Sequence, residues 1–212
     1  CSIGAAHWIH ALRYNMNITV VLHDNHVYGL TKKQASPTSP RGMKSNTTPY
    51  GATLEPMNPL TVTLGVQGAS FVAQGVDWVP EVLYDIVRAA FRHRGFSFVR
   101  ILQRCPEFMP KAFDPWLHDP QRTMLLTHKD GLQLSPSLSS AYRNQREHDP
   151  INIDRAREIA SMDEPIPVGI LYRNPDAPCY EDLRHAGQMR SPEYIRAGLN
   201  RELDKYTVWP DD

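Results

Sequence analysis

The pair Asp24-Asn25 follows a β-branched apolar run, Ile18 to Leu22, and opens the stretch His26-Val27-Tyr28-Gly29-Leu30-Thr31-Lys32. An Asn amide oxygen and nearby backbone carbonyls are hard donors that suit Mg²⁺, which in turn binds phosphates. In open α/β sheets, ligands gather beyond the carboxyl ends of the strands, which is where this pair stands. Taken locally, the same pair reads more readily as an Asx turn at a strand end. His23 and His26, three apart, invite a metal, but no third ligand is near in sequence, and two surface or packing histidines are the simpler account. Cys105 lies just past the run Phe96 to Leu102, within Gln103-Arg104-Cys105-Pro106. Alone it is a free thiol at a strand end, on the same sheet edge as Asn25. Cys179 lies in a loop, within Asp176-Ala177-Pro178-Cys179-Tyr180. Lys32 and Lys33 are either a solvated pair or a place where one lysine holds an anionic substrate.

The elements that must position these residues have the rhythm of an α/β domain with a parallel sheet. Ala5, Trp8, Ile9 and Leu12 recur at helical spacing, so Ser2 to Tyr14 reads as an amphipathic helix that Asn15 and Asn17 break. Ile18 to Leu22 has the signature of a buried parallel strand. Ala35 to Pro56 is one long loop rich in Pro and Thr, and such loops in compact domains carry function or move. Pro59 to Val66 reads as a short helix and Ser70 to Val76 as a strand. Val79, Val82, Leu83, Ile86, Val87 and Ala90 form one helical stripe, with Pro80 early and Gly95 just past the end. Phe96 to Leu102 is the next strand. Beyond Cys105 the pattern changes: Pro106 to Pro120 is aperiodic, Ser137 to Glu147 and Ile153 to Met162 read as helices, and Val168 to Tyr172 as a strand. Ser191 caps a last helix, with Pro192 at its first position, running to about Tyr206. The division expected is 1–105 as part of an α/β domain and 106–212 as an irregular C-terminal extension, packed on the domain or on a partner.

Composition sets the frame. The 212 residues are 41% hydrophobic, enough for a single core and a small appendage. Lys+Arg and Asp+Glu are both 23, so bulk charge points to neither a nucleic-acid nor a membrane-surface partner. No apolar run is long enough to span a bilayer, and no signal peptide is visible. Three cysteines are no disulfide framework and suit a reducing cytoplasm. The sequence opens on Cys1 and passes at once into a helical pattern, which leads one to expect further chain upstream.

Asn25-His26-Val27-Tyr28-Gly29-Leu30-Thr31-Lys32-Lys33-Gln34, with Ser36-Pro37-Thr38 behind it, resembles the thiamine-diphosphate loop in the beta subunit of 2-oxoacid:ferredoxin oxidoreductases. Ser2 to His10 resembles the helix that follows the family's Gly-Asp-Gly motif. Thr48-Pro49-Tyr50-Gly51, Met57-Asn58-Pro59-Leu60, Phe98 to Pro106, His148-Asp149-Pro150 and Ile166 to Tyr172 are also similar to family segments. The resemblance covers essentially the whole chain and is nearer the two-subunit 2-oxoglutarate branch than the pyruvate enzymes.

The resemblance implies a thiamine-diphosphate-binding α/β fold, with a mostly parallel sheet flanked by helices. It implies thiamine diphosphate held through Mg²⁺, with Asn25 as one metal ligand and the Val27 carbonyl as another. Gly29, Leu30 and Thr31 would line the cofactor, and Lys32 is the candidate to meet a substrate carboxylate. The Pro/Thr-rich loop would cover the cofactor and meet an alpha subunit. Cys105 matches the late cysteine of the four that bind a 4Fe–4S cluster. The other three, and the Gly-Asp-Gly aspartate, would lie upstream of Cys1. Where the family often has Asn-Asn, this chain has Asp24-Asn25, and the ligand is the second of the pair. The implied reaction is oxidative decarboxylation of 2-oxoglutarate or a related 2-oxoacid with coenzyme A, giving acyl-CoA, carbon dioxide and reduced ferredoxin. Pyruvate or branched-chain specificity stays open, as does a truncated, non-catalytic piece that only docks on the alpha subunit. A plain nucleotide-binding domain is disfavoured by the missing Gly-rich loop.

Overall fold

A computed structural model describes residues 2–129, 131–132, 134–185 and 191–208. Cys1 lies outside them. The chain divides into two units, Cys1–Tyr180 and Glu181–Asp212.

The first unit is built on a six-stranded sheet of order β1-β3-β2-β6-β4-β5. The strands are β1 (Thr19–Asp24), β2 (Phe71–Val76), β3 (Ser97–Leu102), β4 (Thr123–Thr127), β5 (Gln145–Glu147) and β6 (Ile166–Arg173). Four of the five ladders are parallel, and β2 meets β6 antiparallel. The sheet therefore has two parallel halves running in opposite directions. The carboxyl ends of β1, β3 and β2 emerge at one edge, and those of β6, β4 and β5 at the other.

Strand alternation feeds two cores. Phe71, Ala73, Val99, Ile101, Leu125, Val168 and Ile170 face one side of the sheet. Helix α3 (Pro80–Arg92) covers them with Val82, Ile86 and Ala90, all buried, in the stripe that its sequence announces. Val72, Phe96, Phe98, Met124, Leu126 and Leu171 belong to the other side. There they meet Leu12 of α1 (Ala5–Arg13), Leu60 and Leu64 of α2 (Pro59–Leu64), and Ala156, Ile159 and Ala160 of α6 (Ile153–Ala160). Burying one such aliphatic side chain contributes about 1.5–3 kcal/mol, so these faces decide the stability of the unit. Helix α5 (Pro136–Ala141) lies on the α3 side through Leu138, and α4 (Asp114–His118) follows a turn-rich segment. Asn58 caps α2, its side chain accepting from Leu60 N at 3.0 Å.

Three expectations need correction. β1 is parallel to β3 but not buried: it is an edge strand whose residues alternate between exposed and half-buried up to Asp24. Its β-branched run reflects the pleat, not a doubly covered position. The stretch Ser137 to Glu147 is not one helix, because α5 stops at Ala141 and Gln145–Glu147 pairs with Leu125–Thr127. Gln-Arg-Glu has no apolar period, so only the ladder makes it a strand. β4 was hidden because Met124-Leu125-Leu126 is too short to be told from a helix fragment by periodicity.

In the second unit, α8 (Pro192–Asp204) is capped by Ser191, whose Oγ accepts from Tyr194 N at 3.2 Å. Helix α7 (Tyr180–Arg184) begins in the first unit and ends in the second. Among the described residues no helix is long and apolar enough to cross a membrane.

Candidate functional site

The loop that leaves β1 is fastened by a buried charge. Asp24 is 4% exposed, in a setting that penalises an unpaired carboxylate. Arg100, from the neighbouring β3, meets Asp24 Oδ2 through Nη2 at 2.6 Å and through Nε at 2.8 Å. Arg100 also donates to Gln74 Oε1 at 3.2 Å, and Gln74 donates to the Pro167 carbonyl at 2.7 Å. Thr38, fourteen residues on, donates to Asp24 Oδ1 at 2.5 Å, so both ends of the loop are tied to one carboxylate. Burial pushes the Asp24 pKa up. The charges of Arg100 and His26 and the hydrogen bonds from Thr38 and Arg100 outweigh that and hold it below the usual carboxylate range. Burial, aided by the charge of Arg100, drives the His26 pKa down against the pull of Asp24.

The turn itself is short and constrained. His26 sits in the left-handed region, φ 62°. Its N–H donates to Asp24 Oδ1 at 3.2 Å, and Val27 N–H donates to Asn25 Oδ1 at 3.2 Å. This is the Asx turn that the local reading expects. An amide oxygen has two lone pairs, so one stays available for a cation. Val27 is buried, yet among the described residues its carbonyl accepts no hydrogen bond. Asn25 and Val27 line one small cavity of about 80 Å³ with Asp24, Tyr28, Ser36 and Thr38. A hard amide oxygen and an unused carbonyl oxygen beside one cavity fit Mg²⁺, and they fit as two ligands of a larger set. Among the described residues no group of three or more His, Cys, Asp or Glu could hold a metal. His23 and His26 are not paired on a metal: His23 Nδ1 is 3.0 Å from Gln103 Oε1, and His26 stacks toward Phe113 at 4.9 Å.

After the turn, Gly29 packs on Cys105: a methyl group placed on it would lie 3.5 Å from Cys105 Sγ. β1 and β3 end side by side, so the tertiary fold brings together residues 76 apart in sequence. Cys105 is buried, and its carbonyl accepts from Met109 N at 3.1 Å. Cys179, also buried, lies beside the Asn15 end of α1, where Asn15 Nδ2 donates to the Pro178 carbonyl at 3.0 Å. One thiolate is not a cluster site, since a cubane needs four ligands, and the described residues do not supply the rest.

Leu30, Thr31 and Lys32 form the outer part of the loop. Leu30 is fully exposed, and Thr31 Oγ1 donates to Gln34. Lys32 and Lys33 are both in the left-handed region, φ 68° and 66°. Asn46 holds them there, its Nδ2 donating to the Lys32 carbonyl at 2.6 Å and its N–H to that of Lys33 at 3.3 Å. The Lys32 side chain is left exposed. On the sheet side of Thr38 lies a larger cavity of about 400 Å³, lined by His26, Gln74, Arg100, Phe113 and Trp116 among others. Arg100, Thr38 and Gln74 escape a sequence reading. The available signal was a lone charge at Arg100 inside the apolar strand Phe98-Val99-Arg100-Ile101-Leu102.

Residues 2–101 match the model of the thiamine pyrophosphate enzyme C-terminal TPP-binding domain, and residues 139–187 match that of the C-terminal part of the pyruvate ferredoxin oxidoreductase beta subunit. The 2-oxoglutarate oxidoreductase subunit KorB of Mycobacterium tuberculosis is 47% identical over 113 residues, covering 53% of this chain and 30% of that protein. A 2-oxoacid:ferredoxin oxidoreductase subunit beta from Sulfolobus sp. is 34% identical over 193 residues, covering 91% of this chain and 59% of that protein. The solved 2-oxoglutarate:ferredoxin oxidoreductase of Magnetococcus marinus, with 2-oxoglutarate, coenzyme A and succinyl-CoA bound, superposes with a TM-score of 0.69 at 32% identity. It covers 93% of this chain and 63% of that one. In each comparison the chain spans less than two thirds of its relative.

Proposed function

The chain belongs to the family of 2-oxoacid:ferredoxin oxidoreductase beta subunits, and from that premise we propose that it serves the CoA-dependent oxidative decarboxylation of 2-oxoglutarate, with an alpha subunit as partner and ferredoxin as electron acceptor. The observation that carries the reading is the likeness, over 93% of the chain, to an enzyme solved with 2-oxoglutarate, coenzyme A and succinyl-CoA. The identity to a 2-oxoglutarate oxidoreductase subunit supports the same acid.

In this reading the loop from Asn25 to Lys32 holds thiamine diphosphate and its Mg²⁺. Asn25 Oδ1 and the Val27 carbonyl are metal ligands; Gly29, Leu30 and Thr31 border the cofactor. When bound, the cofactor supplies the electron sink that lets a 2-oxoacid lose carbon dioxide. The protein's own work is positional. The Asp24–Arg100–Thr38 anchor fixes where the turn begins and where the covering loop returns. Gly29 lies against Cys105, which is the candidate thiolate for a 4Fe–4S cluster completed by residues beyond those described. Lys32 presents an ammonium beside the loop to a substrate carboxylate. Within residues 106–212, the segments outside strands β4, β5 and β6 are the candidate surface for an alpha subunit.

The test is calorimetric titration of the full-length subunit with thiamine diphosphate and Mg²⁺. Asn25→Ala removes one hard ligand and is expected to weaken binding at least about tenfold, as loss of even supporting interactions around a metal costs about 10–100-fold. Unchanged affinity would reject the loop as the cofactor site.

A further inference from the structure

We propose that the crevice over the carboxyl ends of β4, β5 and β6 binds a phosphate ester of a sugar, such as the ribose phosphate of a nucleotide. This end of the sheet is opposite the edge that carries Asn25, because β6 runs antiparallel to β2 and Arg173 stands beside Phe71. The topology makes it a binding position in its own right. From β4 the chain turns to α5, whose Leu138 packs on one core. From β5 it turns to α6, whose Ala156, Ile159 and Ala160 pack on the other. Because β5 and β6 flank β4 on its two sides, neighbouring parallel strands send their connections to opposite faces, and the loops part above β4. Such switch points are where open α/β sheets take ligands.

A cavity of about 500 Å³ occupies the place, lined by His128 and Lys129 after β4, by Glu147 at the end of β5 with the following 148–151, and by Arg173 at the end of β6 with Pro175. That volume falls within the range of small-ligand sites. Its chemistry is that of an anion carrying hydroxyl groups. Among the described residues, neither the Lys129 ammonium nor the Arg173 guanidinium forms an ion pair, and Arg and Lys are the natural partners of a phosphate. His148 is 4% exposed. Its Nε2 is 2.6 Å from the Leu171 carbonyl, which can only accept, so this nitrogen carries the proton. Nδ1 is buried and without a partner among the described residues, while the ring as a whole lines the cavity. Asp149 spends Oδ1 on Ile151 N at 3.0 Å, and its second oxygen, with the exposed Glu147, can accept from sugar hydroxyls. A phosphate ester of a sugar meets both requirements; inorganic phosphate or a bare nucleoside meets one each.

The experiment is calorimetric titration of the full-length chain with adenosine 5′-monophosphate, adenosine, inorganic phosphate and coenzyme A. The nucleotide is expected to saturate at one per chain, with adenosine and phosphate each at least tenfold weaker. Lys129→Gln, an exposed change that leaves the fold alone, is expected to weaken nucleotide binding about threefold or more, and Lys129→Gln with Arg173→Gln at least tenfold. The ¹⁵N resonance of His148 Nδ1 should move on nucleotide addition. Asn25→Ala should leave nucleotide affinity unchanged whether or not it loses thiamine diphosphate, which separates this site from the loop site. Absence of saturable nucleotide binding, full affinity in the double variant, an unmoved Nδ1 resonance, or binding confined to coenzyme A would each overturn the proposal.

Discussion

One residue can decide whether the loop after β1 does chemistry or only turns. Asn25 does the second in any case, since its side chain accepts from Val27 N–H; its remaining lone pair and the Val27 carbonyl are what make the first available. In the proposed site, Lys32 is the residue where substrate choice is expected to show. A point charge there attracts a distal carboxylate and gives nothing to a monocarboxylic acid. Lys32→Ala is therefore expected to raise KM for 2-oxoglutarate several-fold more than KM for pyruvate in steady-state assays of the whole enzyme; equal effects would remove Lys32 from the site. Cys105 carries the corresponding bet for electron transfer. In full-length protein purified without oxygen, Cys105→Ser is expected to lose most visible cluster absorbance and the reduced EPR signal, with thiamine diphosphate still bound. Cys179→Ser, on the Asn15 side of the fold, should keep both signals.

At the scale of elements, the loop is useful because β1 and β3 hold it from below. Asp24 ends β1 opposite Leu102 of β3, and Arg100, two residues earlier on β3, stands opposite Leu22; the side chains of Asp24 and Arg100 are 3% and 13% exposed. Breaking a buried pair from one side leaves a stranded charge and costs about 3–5 kcal/mol. Asp24→Ala is expected to lower stability by about that much in denaturant titration. Glu55→Ala, which breaks the exposed pair with Arg41, should change it by less than about 1 kcal/mol. An equal, small effect for both would mean that the anchor is not what holds the loop. A second polar tie joins three elements at the other end of β3. Asn15 Oδ1, just after α1, accepts from Ser70 Oγ at 2.6 Å and from Phe96 N at 2.7 Å. Gly95 must be glycine here: φ is 119°, and a Cβ would stand 2.5 Å from Asn15 Oδ1.

For the molecule as a whole, one pH-sensitive contact is at His93. Burial, with the positive charge of Arg173, pushes its pKa down to about 4, while Nε2 keeps a 2.9 Å contact with Ser70 Oγ. The native state holds this ring neutral and the unfolded chain protonates it near 6.5. The stabilisation is thus fully present above pH 6.5 and is lost as pH falls through about 4. The full difference corresponds to roughly 3 kcal/mol. Tm measured from pH 7 to 4 should fall, and His93→Gln should flatten that part of the curve; an unchanged slope would show that His93 titrates normally. Asp24, whose pKa is also lowered, adds its own loss only at more acid pH. The sequence by itself determined most of the first sheet half and the place of the loop. The helical period of α3, the apolar runs of β2 and β3 and the Asn25-to-Lys32 stretch are local signals, complete within a few residues. Residues brought together by pairing were a different matter. That β6 runs against β2, that Gln145–Glu147 is a strand, that Arg100 reaches Asp24 and that Gly29 lies on Cys105 depend on partners 20 to 102 positions away. No local period encodes such a contact: the backbone bonds of a strand and the counter-charge of a buried arginine are supplied by another segment, so only the folded chain decides them.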